Sequence, residues 1–225
     1  MLILPGRSAS WNAGSSGLSE VTCGGSAYFS GSQAAQDADS AAASAYLKFK
    51  TSNAFLMTIH EISGGRSVID ITSGGAINVR CRSTTNSEIL NITSSTGYAD
   101  GSEHEMFWSY DASAGTSQLY IDGTSDKATT TTETTGTIDH TRSNWHVLNA
   151  NGSGGDAYTG GLWRFCYWQD VSLDCSSAGV RANMADETKS GTLGDNIIEI
   201  YDVAAMNAGT NQGSGSNFSV SGTFT

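Results

Sequence analysis

The chain has 225 residues and a formal net charge of −11, with 27 glycines, one proline and only 15% charged residues. This length suits a single all-β domain, and five Trp, eight Tyr and seven Phe exclude a disordered chain. Eleven basic residues in an acidic chain do not form the cationic surface that phosphates require, so we expect no nucleic-acid binding. No apolar run approaches the ~20 residues of a membrane helix, so we expect no membrane insertion.

Short β segments separated by turn residues occupy the first half of the chain. Alternating or apolar runs predict strands at residues 45–50, 55–59, 67–71, 76–82 and 88–93. Within residues 76–82, Ile77, Val79 and Cys81 share one side, which indicates a sheet with one buried face and one wet face. We interpret Arg80 and Arg82, on the other side, as charges that keep a strand edge soluble.

The second half continues the pattern, beginning with a hairpin at residues 106–121. Its Asp122-Gly123 dipeptide is typical of tight β-hairpin turns. Further strands are predicted at residues 145–148, 161–168, 197–201 and 218–220. The run 161–168 carries bulky side chains on both faces, which predicts a strand in the middle of a sheet. The predicted core includes Phe107, Trp108, Trp163, Phe165 and Trp168.

The remaining segments are predicted as loops, with one short helix. Residues 176–187 predict a surface helix with Asp174 or Ser176 as its N-cap. The threonine run 129–135 predicts an extended loop or an edge strand. Strands at this spacing, joined by glycine-rich turns, predict an all-β, two-sheet antiparallel sandwich or jelly roll.

Four cysteines are present, and none of them forms a CxxC pair, so neither a zinc ribbon nor a thioredoxin-type site is supported. We interpret them as buried reduced thiols, which agrees with assembly in a reducing cytoplasm. A disulfide between Cys166 and Cys175 across a turn remains an alternative.

No catalytic motif is present, which predicts a protein that is not an enzyme. The chain lacks a nucleophile elbow, a phosphate-binding Walker loop and an H-E-x-x-H sequence. Glu103 with Glu105, and Glu199 with Asp202, are the carboxylate pairs that a glycan hydrolase would need. Neither pair has the tight spacing of such enzymes, and we interpret Glu199 and Asp202 as solvated edge acids.

Two kinds of ligand site were considered in the loops, a metal site and a sugar site. Turn formation explains the loop acids Asp111, Asp122 and Asp139, so no metal or cofactor is predicted, and calcium remains open. A sugar site stacks an aromatic ring on a pyranose beside side chains that bond its hydroxyls. The residues that could converge in this way are Trp145, Asn149, Asn151, Asp156 and Tyr158.

Residues 105–123, EMFWSYDASAGTSQLYIDG, resemble the central hairpin of laminin G-like, concanavalin A-like domains. Residues 27–32 resemble the opening strand of that family, with Ser30 in place of its usual aspartate, and residues 160–168 resemble a later strand. The resemblance implies a concanavalin A-like jelly roll that binds carbohydrate or protein and usually catalyses nothing. Residues 25–225 would form this single domain, and residues 1–24 an N-terminal arm or first strand.

The tail, residues 207–222, NAGTNQGSGSNFSVSG, resembles the ending of laminin G-like proteins of tailed phages. This likeness implies a non-enzymatic virion protein, in capsid decoration or a tail fibre, assembled in the host cytoplasm. Its partners would be other virion proteins, further copies of itself in a homo-oligomer, and a host-surface glycan. The alternatives are a soluble carbohydrate-binding, lectin-like module and, less favoured, a polysaccharide hydrolase or lyase.

Overall fold

The structure is a computed structural model and describes residues 20–24, 28–31, 39–53, 56–62, 66–140, 145–148, 156–194, 196–200, 203–214 and 217–225. In chain order the strands are β1 (Val21–Gly24), β2 (Tyr28–Gly31), β3 (Ala42–Lys50), β4 (Met57–Ile62), β5 (Ser67–Ile71), β6 (Ile77–Arg82), β7 (Glu88–Thr93), β8 (Glu103–Asp111), β9 (Thr116–Ile121), β10 (Thr124–Ser125), β11 (Thr129–Glu133), β12 (Trp145–Val147), β13 (Thr159–Gln169), β14 (Asn196–Ile200) and β15 (Ser219–Ser221). The helices are α1 (Ala178–Ala185) and α2 (Val203–Asn207).

The strands form two antiparallel sheets that pack face to face. The seven-stranded sheet has the order β1-β13-β3-β8-β9-β10, and β14 also pairs with β13. The eight-stranded sheet has the order β11-β7-β6-β5-β4-β12-β2-β15. The predicted two-sheet antiparallel jelly-roll sandwich is therefore confirmed, because each sheet buries one face against the other.

Strand positions within the sheets test two interpretations from the sequence. β13 lies between β3 on one side and β1 and β14 on the other, which confirms the predicted central strand. β6 lies between β5 and β7, so Arg80 and Arg82 are on the face of a central strand. Our interpretation of these arginines as edge charges was wrong, since alternation along a strand does not reveal its neighbours.

The main core lies between the sheets and a second, smaller core lies outside the seven-stranded sheet. Trp108 and Phe165 are fully buried in the main core. Phe107 and Trp168 point to the opposite face of the same sheet, where Met184 of α1 covers them. Trp163 is buried as well, so all five aromatic residues predicted for the core are buried.

The turn and the helix that were predicted from local sequence lie at or near their predicted positions. Asp122 and Gly123 have φ values of 51° and 79°, the two positive values that a type I′ turn between β9 and β10 requires. The predicted helix is present as α1, but its N-cap is Ser177, whose side chain accepts a hydrogen bond from the Val180 amide. The predicted caps Asp174 and Ser176 instead bond to each other in the preceding turn.

Three further predictions concern the threonine run, the cysteines and the N-terminus. Residues 129–133 form the edge strand β11, one of the two alternatives. All four cysteines are buried and none of them is in a disulfide, so Cys166 and Cys175 are not bridged. β1 pairs with residues 159–162 of β13, whereas residues 1–19 lie outside the described residues. In the described part of the chain, no helix has the length and apolar character needed to cross a membrane.

Candidate functional site

The two aromatic residues of the predicted sugar site lie in the core. Trp145, on β12, is fully buried between the sheets. Tyr158 is also fully buried, and its one hydroxyl donor is shared between the backbone carbonyls of Lys50 and Gly161, at 2.9 and 2.8 Å. Neither ring therefore offers a free face to a sugar, and the predicted stacking role does not fit this structure.

Of the three polar residues predicted for that site, only Asp156 is among the described residues. Asn149 and Asn151 lie outside the described residues. Asp156 lies beside the start of β4, where its carbonyl accepts a hydrogen bond from the Thr58 amide at 2.7 Å. Asp156 is also close enough to Asp70 to raise the pKa of that carboxyl. Asp156 therefore lies next to a group of polar side chains around Asp70 that was not predicted from the sequence.

This group lies on the outer face of the eight-stranded sheet, away from the main core. Thr58, Asp70, Asn78 and Thr93 are register partners on β4, β5, β6 and β7, so their side chains form one row across the sheet. Their neighbours along the strands, such as Ile69 and Ile77, point into the main core. Alternation along each strand therefore places the row on the outside.

A second row of outward side chains runs beside the first. Glu61, Val68, Arg80 and Asn91 follow one another across β4, β5, β6 and β7. His146 of β12 lies opposite Glu61 and extends the row by one strand. We call the outward side chains of these two rows the polar face: Thr58, Glu61, Val68, Asp70, Asn78, Arg80, Asn91, Thr93 and His146.

Hydrogen bonds fix the side chains of the polar face. Asp70 accepts from the Thr58 hydroxyl at 2.8 Å and from Nη2 of Arg80 at 3.0 Å. The side-chain amide of Asn78 donates to Asn91 Oδ1 at 3.0 Å and to the Thr93 hydroxyl at 2.9 Å. Because each of these groups is held by a neighbour, the polar face presents donors and acceptors in fixed directions.

Burial divides the polar face into a covered part and an open part. Asp70 is only 4% exposed, and Thr58 is buried beside it. The Arg80 side chain is 32% exposed, and Asn78 and Asn91 are partly exposed. Burial raises the pKa of Asp70 above its ordinary value, against the hydrogen bonds from Thr58 and Arg80, and the charge of Asp156 adds to the shift. The open part thus lies over β6 and β7.

The carboxylates considered for catalysis are engaged elsewhere. Glu199 is buried, and Nη2 of Arg164 donates to it at 2.5 Å, so our interpretation of Glu199 as a solvated acid was wrong. Glu103 forms an ion pair with Lys48 at 3.3 Å, and Glu105 accepts a hydrogen bond from the Tyr46 hydroxyl. Asp202, which was predicted to pair with Glu199, lies outside the described residues.

The loop acids considered as calcium ligands also have protein partners. Asp111 accepts hydrogen bonds from Ser113 and from the Ala114 amide in the turn after β8. Asp139 forms an ion pair with Arg66 at 3.1 Å. Among the residues that the structure describes, no group of three or more His, Cys, Asp or Glu side chains could hold a metal ion.

Several solved structures have a shape similar to that of this chain. A Bacteroides ovatus protein to which carbohydrate binding is ascribed matches with a TM-score of 0.68 at 11% identity, over 92% of this chain and 60% of that chain. A heptameric SAP-like pentraxin from Limulus polyphemus matches with a TM-score of 0.57 at 12% identity, over 91% and 94% of the two chains. The LG1-3 region of the laminin alpha2 chain matches with a TM-score of 0.49 at 13% identity, over 68% and 31%.

These similarities extend to the fold, and this chain spans 60% of the length of the Bacteroides protein. The two matches with TM-scores above 0.5 support the predicted two-sheet jelly-roll architecture. The predicted link to phages is not addressed by them. No protein family model and no curated protein sequence matches the chain.

Proposed function

We propose that this chain is a non-enzymatic carbohydrate-binding module, and that its ligand lies on the open part of the polar face. The observation that carries this proposal is the fixed arrangement of Asn78, Arg80 and Asn91 on adjacent strands, with Arg80 donating a hydrogen bond to Asp70 on β5. Recognition sites use a few such polar groups in defined positions to orient a ligand.

The chemistry of these side chains suits a neutral sugar. A sugar hydroxyl both donates and accepts hydrogen bonds. The open part offers guanidinium donors of Arg80 and the Oδ1 acceptor of Asn78, whose two N–H groups already donate within the face. Because Asp70 and Asp156 oppose the charge of Arg80, the site has no net attraction for an anionic ligand. The Bacteroides ovatus protein of similar fold, to which carbohydrate binding is ascribed, supports the same class of ligand.

The expected affinity is low. Neither Trp145 nor Tyr158 supplies a stacking surface, and the described rows of the polar face contain no ring of Phe, Tyr or Trp. Hydrogen bonds to sugar hydroxyls replace bonds to water, so each one contributes little net free energy. We expect a dissociation constant of about 1 mM for a single sugar unit.

An Arg80→Ala variant tests the site. It removes the exposed guanidinium, and we expect at least about a tenfold loss of affinity for glycans that the native protein selects on an array, which corresponds to 1.4 kcal/mol. Lys48→Ala is the matched control, because it removes one positive charge from the outer face of the other sheet. NMR titration measures both. Equal affinity of Arg80→Ala and the native protein would refute this site.

The virion role is a separate proposal that rests on the sequence of the tail. In a homo-oligomer on a particle, several weak sites would act together, and the avidity would exceed the affinity of one site. Co-purification of the chain with virus particles would support that role.

A further inference from the structure

Two histidines lie inside the sandwich, in contact with the same pair of aromatic rings. His60 of β4 and His140 are fully buried. The His60 ring lies 5.4 Å from the Trp145 ring and 4.8 Å from the Tyr167 ring, measured between centroids. The His140 ring lies 5.7 and 5.9 Å from the same two rings. The four rings form one cluster that spans both sheets.

Few polar groups stabilise a charge in this cluster. Nε2 of His140 lies 2.9 Å from the Tyr167 hydroxyl, which is also 3.3 Å from the Ser67 hydroxyl. Nδ1 of His140 and both ring nitrogens of His60 make no hydrogen bond of normal geometry with the described residues. The backbone of His146 favours the charged form of His60, against the larger effect of burial.

The charged and titratable groups around the pair are already engaged or act against a proton. The charges of His140 and His146 both oppose a proton on His60. Asp139 and Asp170 favour a charge on His140, but Asp139 forms an ion pair with Arg66, and Asp170 accepts from the Ser40 hydroxyl at 2.7 Å. In the described part of the chain, neither carboxylate is hydrogen-bonded to a ring nitrogen of the pair.

The position of the pair in the sheet gives it a structural consequence. β12 is held to β4 by three register pairs, one of which is Val147 with His60. Among the described strands, β2 pairs only with β12 and β15, and β15 pairs only with β2. Loss of β12 from β4 would therefore separate three strands from the rest of the eight-stranded sheet.

We propose that His60 and His140 form an acid-sensitive contact that holds β12, and with it β2 and β15, on the sheet only while both rings are neutral. A proton on either ring would place a charge among Trp145, Tyr167 and Phe165, where no counter-ion bonds to it. Separation of β12 from β4 costs less free energy than burial of the charge, because water then reaches both imidazoles.

The pH range follows from the difference between the closed and open states. Burial lowers the pKa of His60 to about 3, and the charge of His140 adds to this shift. Burial also lowers the pKa of His140 to about 4, and burial lowers the pKa of His146 in the same direction. Once exposed, each imidazole has an ordinary pKa of about 6.5. The contact is therefore at full strength above pH 6.5 and weakens as the pH falls toward 4.

The size of the effect follows from proton linkage. Each neutral buried histidine raises the ratio of open to closed molecules about tenfold per pH unit below 6.5. For the pair, the ratio should rise about 10³-fold between pH 7.5 and pH 5, which corresponds to about 4 kcal/mol.

Hydrogen exchange of the full chain, corrected for the intrinsic pH dependence of exchange, tests the proposal. At pH 5 we expect protection to fall in β2, β12 and β15 while β6 and β7 keep theirs, relative to pH 7.5. A double variant, His60→Phe with His140→Gln, should remove most of this difference, because Phe keeps the ring shape and Gln keeps a donor for Tyr167. His104→Gln is the control, since His104 lies in β8 of the other sheet, between Asp100 and Asp122.

Histidine NMR of the native protein decides the question if the double variant does not fold. The proposal requires that two imidazoles stay neutral in the closed form down to pH 5. Ring titration near pH 6.5 with β12 still protected would overturn it, and so would an equal loss of protection in all strands at pH 5. Neither result depends on glycan binding, so failure of the proposed function would leave this proposal standing.

Discussion

The outer faces of the two sheets differ in that one is covered by further protein and the other is partly open to solvent. On the seven-stranded sheet, Phe107, Cys166 and Trp168 point outward and are covered by α1 and the turns around it. On the eight-stranded sheet, the outward residues over β6 and β7 are polar and partly exposed. A sandwich needs only its inner faces for a core, so an outer face is free either to build a second core or to meet a ligand.

Each outer face carries an arginine–carboxylate pair, and the two pairs differ mainly in the burial of the arginine. The Arg164 side chain is 0% exposed and its partner Glu199 is 5% exposed. Arg164 also donates to the Met184 carbonyl, so it ties β13 to α1 as well as to β14. Arg80 is 32% exposed and retains donors that face solvent. The comparison indicates that burial, and not the type of pair, separates a structural role from a binding role.

The largest effect should come from breaking the buried pair. Arg164→Met leaves Glu199 buried without its cation, and we expect the free energy of unfolding in urea to fall by about 3–5 kcal/mol. The physical reason is the cost of a desolvated carboxylate that has lost its main counter-charge.

The double variant Arg164→Met with Glu199→Leu is the control for that measurement. It removes both charges and fills the space with apolar atoms, so it should be more stable than Arg164→Met alone. Equal stability of the native protein and Arg164→Met would mean that this face is wetter than the structure shows, and the contrast between the two faces would be lost.

The sequence predicted the fold well because its strong signals are local. Alternation and turn residues located β5 and β7 at their observed bounds, and Asp122-Gly123 marked a true hairpin turn. The N-cap of α1 was predicted one or more residues early, because Asp174, Ser176 and Ser177 are all chemically able to cap a helix.

The candidate site was harder to predict because it is assembled across strands. Asp70 and Arg80 are ten positions apart, and only the register of β5 against β6 brings them together. Trp145 lies on a predicted strand, but β12 has only three residues, too few for an alternation pattern to show that the Trp145 side chain points into the core. Outward polar residues at matching positions of 67–71, 76–82 and 88–93 were the one available signal, and pairing order was needed to use it.

A smaller effect should separate two neighbouring serines at the start of α1, the helix that covers the closed face. Ser177→Ala removes the acceptor for the Val180 amide and should cost about 1 kcal/mol of stability. Ser176→Ala is the matched control, since its hydroxyl bonds to Asp174 outside the helix. Urea unfolding measures both, and an equal cost for the two variants would contradict the assigned cap.

The smallest effect concerns the Arg80–Asp70 pair on the polar face, in which the arginine is 32% exposed and the aspartate is buried. A double-mutant cycle of Arg80→Met and Asp70→Asn should give a coupling energy below about 1 kcal/mol, because solvent screens the exposed guanidinium. Both variants keep the approximate side-chain volume, so the cycle reports the charge interaction. A coupling of several kcal/mol would make Arg80 a structural residue like Arg164. The open part of the polar face would then have no cation available for a ligand, because Arg80 could not turn from Asp70 toward a sugar hydroxyl without destabilising the sheet.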